Sequence, residues 1–327
     1  MNGRPTPRRK AAWQSLLTGA LICTLMLALA FALVGCGSDS ASTTTSVAAE
    51  TSFPVTVTDD NGDRVTIPAK PMSIVSTSPA ATQILFALGA GDRVVGVNQL
   101  DEYPAEVVDL PKVADYQVNT EAVMALSPDL VLGGAGQEEA LATIQAAGAA
   151  VIILNPSAVE GIYADVATVG QATGTEAQVA QVIQSMRDAF DGLAAAAAAT
   201  GESPSVFYAL DDTLFTAGTG SFVDELLTLA SATNVATADG ATDDYFMFTP
   251  EQLVAADPDM VILGAFYGGV DKFASDPRFA GLTAVQEGQV FALAEADDKL
   301  LTLAAPRIVE GFAALVKTVH PEVDVTQ

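Results

Sequence analysis

T-E-A-V-M-A-L-S-P-D-L-V-L-G, residues 120–133, and P-E-Q-L-V-A-A-D-P-D-M-V-I-L-G, residues 250–264, are two copies of one motif. In each, a Glu (Glu121, Glu251) is followed seven residues on by Pro-Asp (Pro128-Asp129, Pro258-Asp259), then by an apolar run that ends in Gly. The pattern predicts a short helix, a Pro-Asp turn and a buried strand. The copies stand 130 residues apart, whereas solenoid repeats recur every 20–50 residues or so. Such spacing implies two similar lobes, and two lobes imply a cleft.

The segments around the motif alternate in the same way. Ser73–Thr77 reads as a strand, Ser78-Pro79 as a capped helix start, Ala80–Leu88 as a helix, and Arg93–Val97 as a strand. A helix over 138–147, a strand over 150–154 and a helix over 159–172 follow. Residues 175–200 contain only Gly192 as a breaker and carry Val179, Val182, Ile183, Met186, Phe190 and Leu193 at helical spacing. Beyond this long helix the alternation resumes: strand Ser205–Ala209, loop Leu210–Gly220, helix Phe222–Leu229, the second motif, and a last helix from about Pro306 to Val319. The expected fold is α/β: two similar Rossmann-like lobes with mostly parallel sheets, joined by one long α-helix, with a ligand cleft between them. The expected boundaries are an N-terminal β-hairpin at 53–71, a first lobe at 72–172, a linking helix at 173–203 and a second lobe at 204–327. Asn61-Gly62 marks the hairpin turn. Asp59, Asn61 and Asp63 have the opening spacing of a calcium loop, but Arg64 stands where that loop needs Gly.

Ahead of the lobes lies export grammar. Arg4, Arg8, Arg9 and Lys10 precede the uncharged stretch 16–34, then Leu33-Val34-Gly35-Cys36 and a Ser/Thr-rich tract. The last four residues resemble a bacterial lipobox. That resemblance implies a signal peptide over 1–35, a lipidated Cys36, a flexible tether over 36–52 and an extracytoplasmic protein anchored to the cell membrane; an uncleaved transmembrane helix is the alternative. The whole chain has 14 basic and 40 acidic residues, a net charge of −26; removal of 1–35 takes four basic residues and no acids, leaving ten against 40, or −30. Nucleic acid is excluded as a partner by that surface. No cysteine pair remains for a disulfide once Cys23 is removed and Cys36 is lipidated, so the fold rests on its apolar core.

The residues exclude most chemistry. His320 is the only histidine, so a Ser-His-Asp triad has no plausible base and a His-rich zinc site cannot be built. No phosphate-binding glycine loop follows a strand. Gly133-Gly134-Ala135-Gly136 lacks that spacing and reads as a place where backbone approaches a ligand or a neighbouring lobe. No cofactor and no bound metal of the protein's own are expected. Carboxylate-dependent catalysis is left as a remote alternative, since no pair among the acids stands out.

The run S-I-V-S-T-S-P-A-A-T-Q-I-L-F-A-L-G-A-G-D-R-V-V-G-V (73–97), Tyr103-Pro104, the paired Glu and Pro-Asp units, and A-A-P-R-I (304–308) together resemble the class III solute-binding proteins of ABC importers, which deliver ferric siderophores, haem or cobalamin. The resemblance spans about 53–321. It implies a monomeric binding protein without enzymatic activity, whose partners are a metal-chelate ligand and an ABC importer permease dimer with its ATPase. Glu121 and Glu251 fall at the family's two transporter-docking positions, one per lobe; each could otherwise be a helix-capping residue. A surface-tethered receptor or sensor with no importer is the alternative function.

Ligands of such folds sit outside the carboxyl ends of the strands. In the first lobe those loops hold Ser78, Pro79, Asp115, Tyr116, Gly134 and Gln137. In the second they hold Asp211, Asp212, Thr213, Tyr245 and Phe246, then Phe266, Tyr267, Asp297, Asp298 and Lys299. Tyr116 and Tyr245 occupy positions where the family often has a Trp that packs on the ligand, and aromatic faces suit a large planar chelate. The sequence departs from the family in charge. Its cleft loops are acidic, with Lys299 and the more remote Lys272 nearly the only bases and Arg307 in a structural setting. Anionic catecholates and haem propionates are usually met by Arg or Lys, so a neutral or cationic ligand is favoured, such as a corrinoid or a ferric hydroxamate.

Overall fold

The computed structural model describes residues 52–236 and 244–325, all within one compact unit spanning 48–327. The expected signal peptide, the expected lipidation site Cys36 and the expected tether up to residue 51 lie outside the described residues. Among the described residues no helix is long and apolar enough to cross a membrane.

The chain opens with strands β1 (Val55–Thr58) and β2 (Arg64–Ile67), an antiparallel pair in which Thr58 faces Arg64. The hairpin expected around Asn61-Gly62 is present, with a turn of five residues, 59–63. Gly62 takes a φ of 83°, and the Asp59 carboxylate accepts from the amides of Asn61, Asp63 and Ile153. That carboxylate organises the turn and fastens it to the first lobe, which accounts for the calcium-like spacing without calcium.

The first lobe contains β3 (Ile74–Ser76), helix α1 (Pro79–Ala87), β4 (Val94–Asn98), β5 (Lys112–Ala114), α2 (Thr120–Ala125), β6 (Leu130–Gly134), α3 (Glu138–Ala146), β7 (Ala150–Leu154) and α4 (Val159–Thr173). Its sheet is wholly parallel in the order β5-β4-β3-β6-β7. Continuous apolar strands are what burial on both faces requires. Leu130, Leu132 and Ile152 face α1, α4 and the hairpin, while Val131, Val151 and Ile153 face Val123 of α2 and Leu141 and Ile144 of α3.

Gly174, at φ 67°, ends α4, and after Thr175 the linking helix α5 runs from Glu176 to Ala199. Its first half lays Val179, Val182 and Ile183 on the first lobe's core. Its second half buries Met186, Phe190, Leu193 and Ala197 in the second. The apolar stripe read from the sequence is therefore shared end to end between the two cores.

The second lobe contains β8 (Ser205–Asp211), β9 (Phe215–Ala217), α6 (Phe222–Leu229), β10 (Thr233–Asn234), β11 (Tyr245–Met247), α7 (Pro250–Ala256), β12 (Met260–Phe266), α8 (Val270–Ala274), α9 (Thr283–Gln286), β13 (Val290–Ala292), α10 (Glu295–Thr302) and α11 (Ile308–Val319). β10, β8, β12 and β13 run parallel, but β9 and β11 add antiparallel strands at one edge. The stretch expected as a loop over 210–220 thus holds a strand. Asp211 accepts from the amides of Thr213 and Phe215, and Leu214 takes a φ of 62°, so the chain reverses within three residues and pairs back on β8.

Candidate functional site

The two lobes face each other across a cleft of about 570 Å³, whose walls come from the loops after β3, β5, β6 and β7 and from α6, β11 and the end of α10. Thr77 is the centre of the first lobe's wall. Its carbonyl oxygen accepts from Asn98 Nδ2 at 2.8 Å and from Gln137 Nε2 at 3.0 Å, and its hydroxyl donates to Gln137 Oε1 at 2.6 Å. Asn98 is buried; its Nδ2 also donates to the Asp115 carbonyl at 2.8 Å, tying the loop after β3 to the loop after β5. Behind it, the Asp101 carboxylate accepts from the Asn98 amide and the Thr82 hydroxyl, and burial raises that carboxyl to about 6. A wall whose polar groups are already paired enters binding without reorganising.

Asp115 Oδ1 accepts from the Gln117 amide at 2.8 Å. This turn presents Tyr116, which is 84% exposed. Opposite, Tyr245 stands on β11, 40% exposed and stacked on Phe215 at 6.3 Å between centroids. Burial and the neighbouring Asp244 raise its phenol pKa, so it stays neutral and can only offer a hydroxyl and a ring. The remaining charge in the wall is acidic: Asp115 and Asp244 line the cleft, and among the described lining residues there is no Lys, Arg or His.

Of the residues expected from sequence, Ser78, Pro79, Asp115, Tyr116, Gly134, Gln137 and Tyr245 line this cleft. Gln137 does so with its amide already committed to Thr77 and to the Gly134 amide. The others lie elsewhere. Asp298 is buried, accepting from the Tyr208 hydroxyl at 2.5 Å and the Ala265 amide at 3.0 Å. Tyr267 is buried against Phe273 in the second lobe's core. Phe246 packs towards Phe248 and Gly218. Asp211 shapes the β8–β9 turn, and Asp212 pairs with Lys272 at 2.6 Å. Lys299 is held by Glu295 at 3.0 Å and by Glu102 of the first lobe at 3.7 Å. The glycine run also divides. A Cβ at Gly133 would strike the Leu141 side chain, whereas Gly134 has ordinary room. Gly133 therefore serves packing within the first lobe.

Thr77, Asn98 and Asp244 belong to the site and were not singled out from sequence. Asn98 had a signal: an amide closing an apolar strand is buried and must be paired, which marks the sheet end where the loops converge.

Glu121 and Glu251 lie in the first turns of α2 and α7, and both are exposed. Neither caps its helix. Asn119 accepts from the Ala122 amide at 3.0 Å, and Thr249 and Gln252 form a reciprocal capping box. The carboxylates of Glu121 and Glu251 take no hydrogen bond among the described residues.

A family model described as periplasmic binding protein matches residues 74–296. The chain is 31% identical to an uncharacterized ABC transporter substrate-binding lipoprotein, YvrC, of Bacillus subtilis strain 168, over 96% of this chain and 98% of that one. It is 31% identical to a cobalamin-binding protein of Halobacterium salinarum, over 82% of this chain and 75% of that one. The solved apo structure of the periplasmic heme-binding protein RhuT from Roseiflexus sp. RS-1 superposes with a TM-score of 0.66 at 27% identity, covering 76% of this chain and 98% of that one. These relatives are solute-binding proteins, not enzymes. The matched segment runs from β3 into α10 and takes in both motif copies and all the cleft-lining residues except Thr302 and Ala304, and the chain belongs to the periplasmic binding protein family, as the substrate-binding protein of an ABC transporter.

Proposed function

We propose that the cleft captures a neutral or cationic metal chelate, of the corrinoid or ferric-hydroxamate class. The protein, lipid-anchored through Cys36 outside the cell membrane, hands that chelate to the importer's permease dimer by docking Glu121 and Glu251. The observation that carries the ligand reading is the presence of Tyr116 and Tyr245, from facing lobes, with Asp115 and Asp244 in a wall whose described residues include no basic side chain. Two aromatic faces suit a broad, partly apolar ligand. Two carboxylates repel haem propionates and catecholate centres, which need cationic partners. The cobalamin-binding relative supports the same choice. For the anchor, the support is the lipobox-like Leu33-Val34-Gly35-Cys36 and the lipoprotein name of the Bacillus subtilis relative.

The test is calorimetric titration of the protein with cyanocobalamin, a ferric hydroxamate and haem in turn. One of the first two should bind with the highest affinity, and Tyr116→Ala with Tyr245→Ala should weaken it by about tenfold for each ring removed. Preferential binding of haem overturns the charge argument. Unchanged affinity in both tyrosine variants places the ligand elsewhere.

A further inference from the structure

His320 follows α11 and is fully buried. Its Nε2 lies 2.9 Å from the carbonyl oxygen of Ala230. A carbonyl can only accept, so Nε2 carries the ring proton and donates it, which leaves Nδ1 a bare lone pair. Beside Nδ1, at 3.4 Å, is the Thr200 hydroxyl. That hydroxyl already donates to the Ala197 carbonyl at 2.7 Å and accepts from the Glu202 amide at 3.1 Å. With that proton directed at Ala197 at 2.7 Å, the Thr200 contact to Nδ1 is the long one, at 3.4 Å.

Two carboxylates lie close to the His320 ring. One oxygen from each of Glu202 and Glu322, both exposed, lies with a His320 ring nitrogen in a group whose members are all within 4.8 Å of one another. Nε2 is engaged by Ala230, so Nδ1 is the nitrogen free to coordinate.

We propose that Glu202, His320 and Glu322 bind one divalent transition-metal ion. A neutral imidazole with two carboxylates suits Zn²⁺ and its first-row neighbours; Mg²⁺ and Ca²⁺ favour oxygen alone. The bond from Nε2 to a backbone carbonyl is the support that fixes tautomer and ring orientation in metal-bound histidines. Two anionic ligands neutralise the ion, and three protein ligands leave a fourth position for water. Glu202 sits in the turn between α5 and β8, while His320 and Glu322 follow α11. The ion therefore fastens the C-terminal segment to the end of the linking helix. None of the three residues lines the cleft, so this ion is separate from any chelate carried as cargo.

Zn²⁺ is titrated by calorimetry into the chelator-treated full chain, beside Glu202→Gln/Glu322→Gln and His320→Gln, with Mg²⁺ as control. A chain with 40 acidic residues takes up cations loosely at many places, so the variants identify the site. The two glutamates are exposed, so the double variant keeps the native fold and decides the matter if His320→Gln does not fold. The expected result is one Zn²⁺ per chain, bound at least about tenfold more weakly by the double variant. Zn²⁺ should raise the thermal unfolding temperature of the native chain and leave that of the double variant unmoved. Equal affinity and equal stabilisation in both proteins overturns the proposal, and so does an equal shift with Mg²⁺.

Discussion

Asp129 and Asp259 perform the same task in opposite lobes. Asp129 Oδ2 accepts from the amides of Met72 and Ser73 at 2.8 and 3.0 Å, at the entry to β3. Asp259 Oδ2 accepts from the amide and hydroxyl of Ser205 at 2.8 and 2.6 Å, at the entry to β8. Each Pro-Asp turn thus pins the start of its own strand, β6 or β12, to the start of the neighbouring central strand. The repeated Asp is explained by sheet assembly, and the repeated Glu eight residues ahead of it is left free for another role.

Asp129→Ala and Asp259→Ala should each lower unfolding stability by about 1–2 kcal/mol, since each removes the acceptor for two donors at an exposed strand end. The two effects should add, because the sites lie in different lobes. The hydrogen bonds from Ser205 hold the Asp259 carboxyl below the usual carboxylate range. Its contribution is therefore present above the unfolded pKa and lost as pH falls through the folded one. Urea midpoints of the two single variants and the double variant, at pH 7 and in acid, check this.

Asp165 on α4 is buried, and one of its oxygens has no hydrogen-bond partner among the described residues. Burial, followed by the proximity of Asp60 in the hairpin turn, raises its carboxyl to about 8. A raised folded pKa gives stability that is full below the unfolded value near 4 and lost as pH rises through about 8. Native protein should therefore lose stability between pH 5 and 9, by roughly 2–5 kcal/mol from this group. Asp165→Asn should flatten that decline and be the more stable protein at pH 9. Parallel curves for the two proteins would contradict the assignment.

The order of strands and helices was legible because strands buried on both faces leave long apolar runs, and α5 leaves an uninterrupted stripe. β9 and β11 were not. Each has three residues, too few for a period to register, and each is set by the Asp211 turn and by pairing with a distant segment. Apart from Tyr245 of the second lobe, the cleft was legible only on the first lobe's side. There a parallel sheet sends every strand end to the cleft, so Ser78, Asp115 and Gln137 could be placed from topology alone. In the second lobe the same rule nominated Asp298 and Tyr267, which fold inward to meet Tyr208 and Phe273. Nothing in a local pattern separates an acid aimed at solvent from one consumed by a tyrosine 90 residues away.

Closure on ligand should be small. α5 is embedded in both cores, and the lobes are further joined by Lys299 with Glu102, by Arg307 over the Tyr103 ring at 4.1 Å, and by the Val159 amide donating to Glu225 at 2.8 Å. Among the described residues no pair of free loops connects the lobes to take up a large hinge rotation. Small-angle scattering with and without bound chelate should give superimposable curves. A marked compaction would show that the helix does not hold the lobes.

Glu121→Arg with Glu251→Arg tests the delivery claim most directly. Both residues are exposed, take no hydrogen bond among the described residues and lie outside the cleft, so chelate affinity should stay at the native value. Reversed charges would then face like charges on the permease, at a cost of several kcal/mol. The measurement is chelate-dependent ATP hydrolysis by the importer reconstituted in liposomes, with native or variant binding protein saturated with the same chelate. The expected result is stimulation by the native protein and none by the double variant. Equal stimulation by both would contradict docking through these two residues.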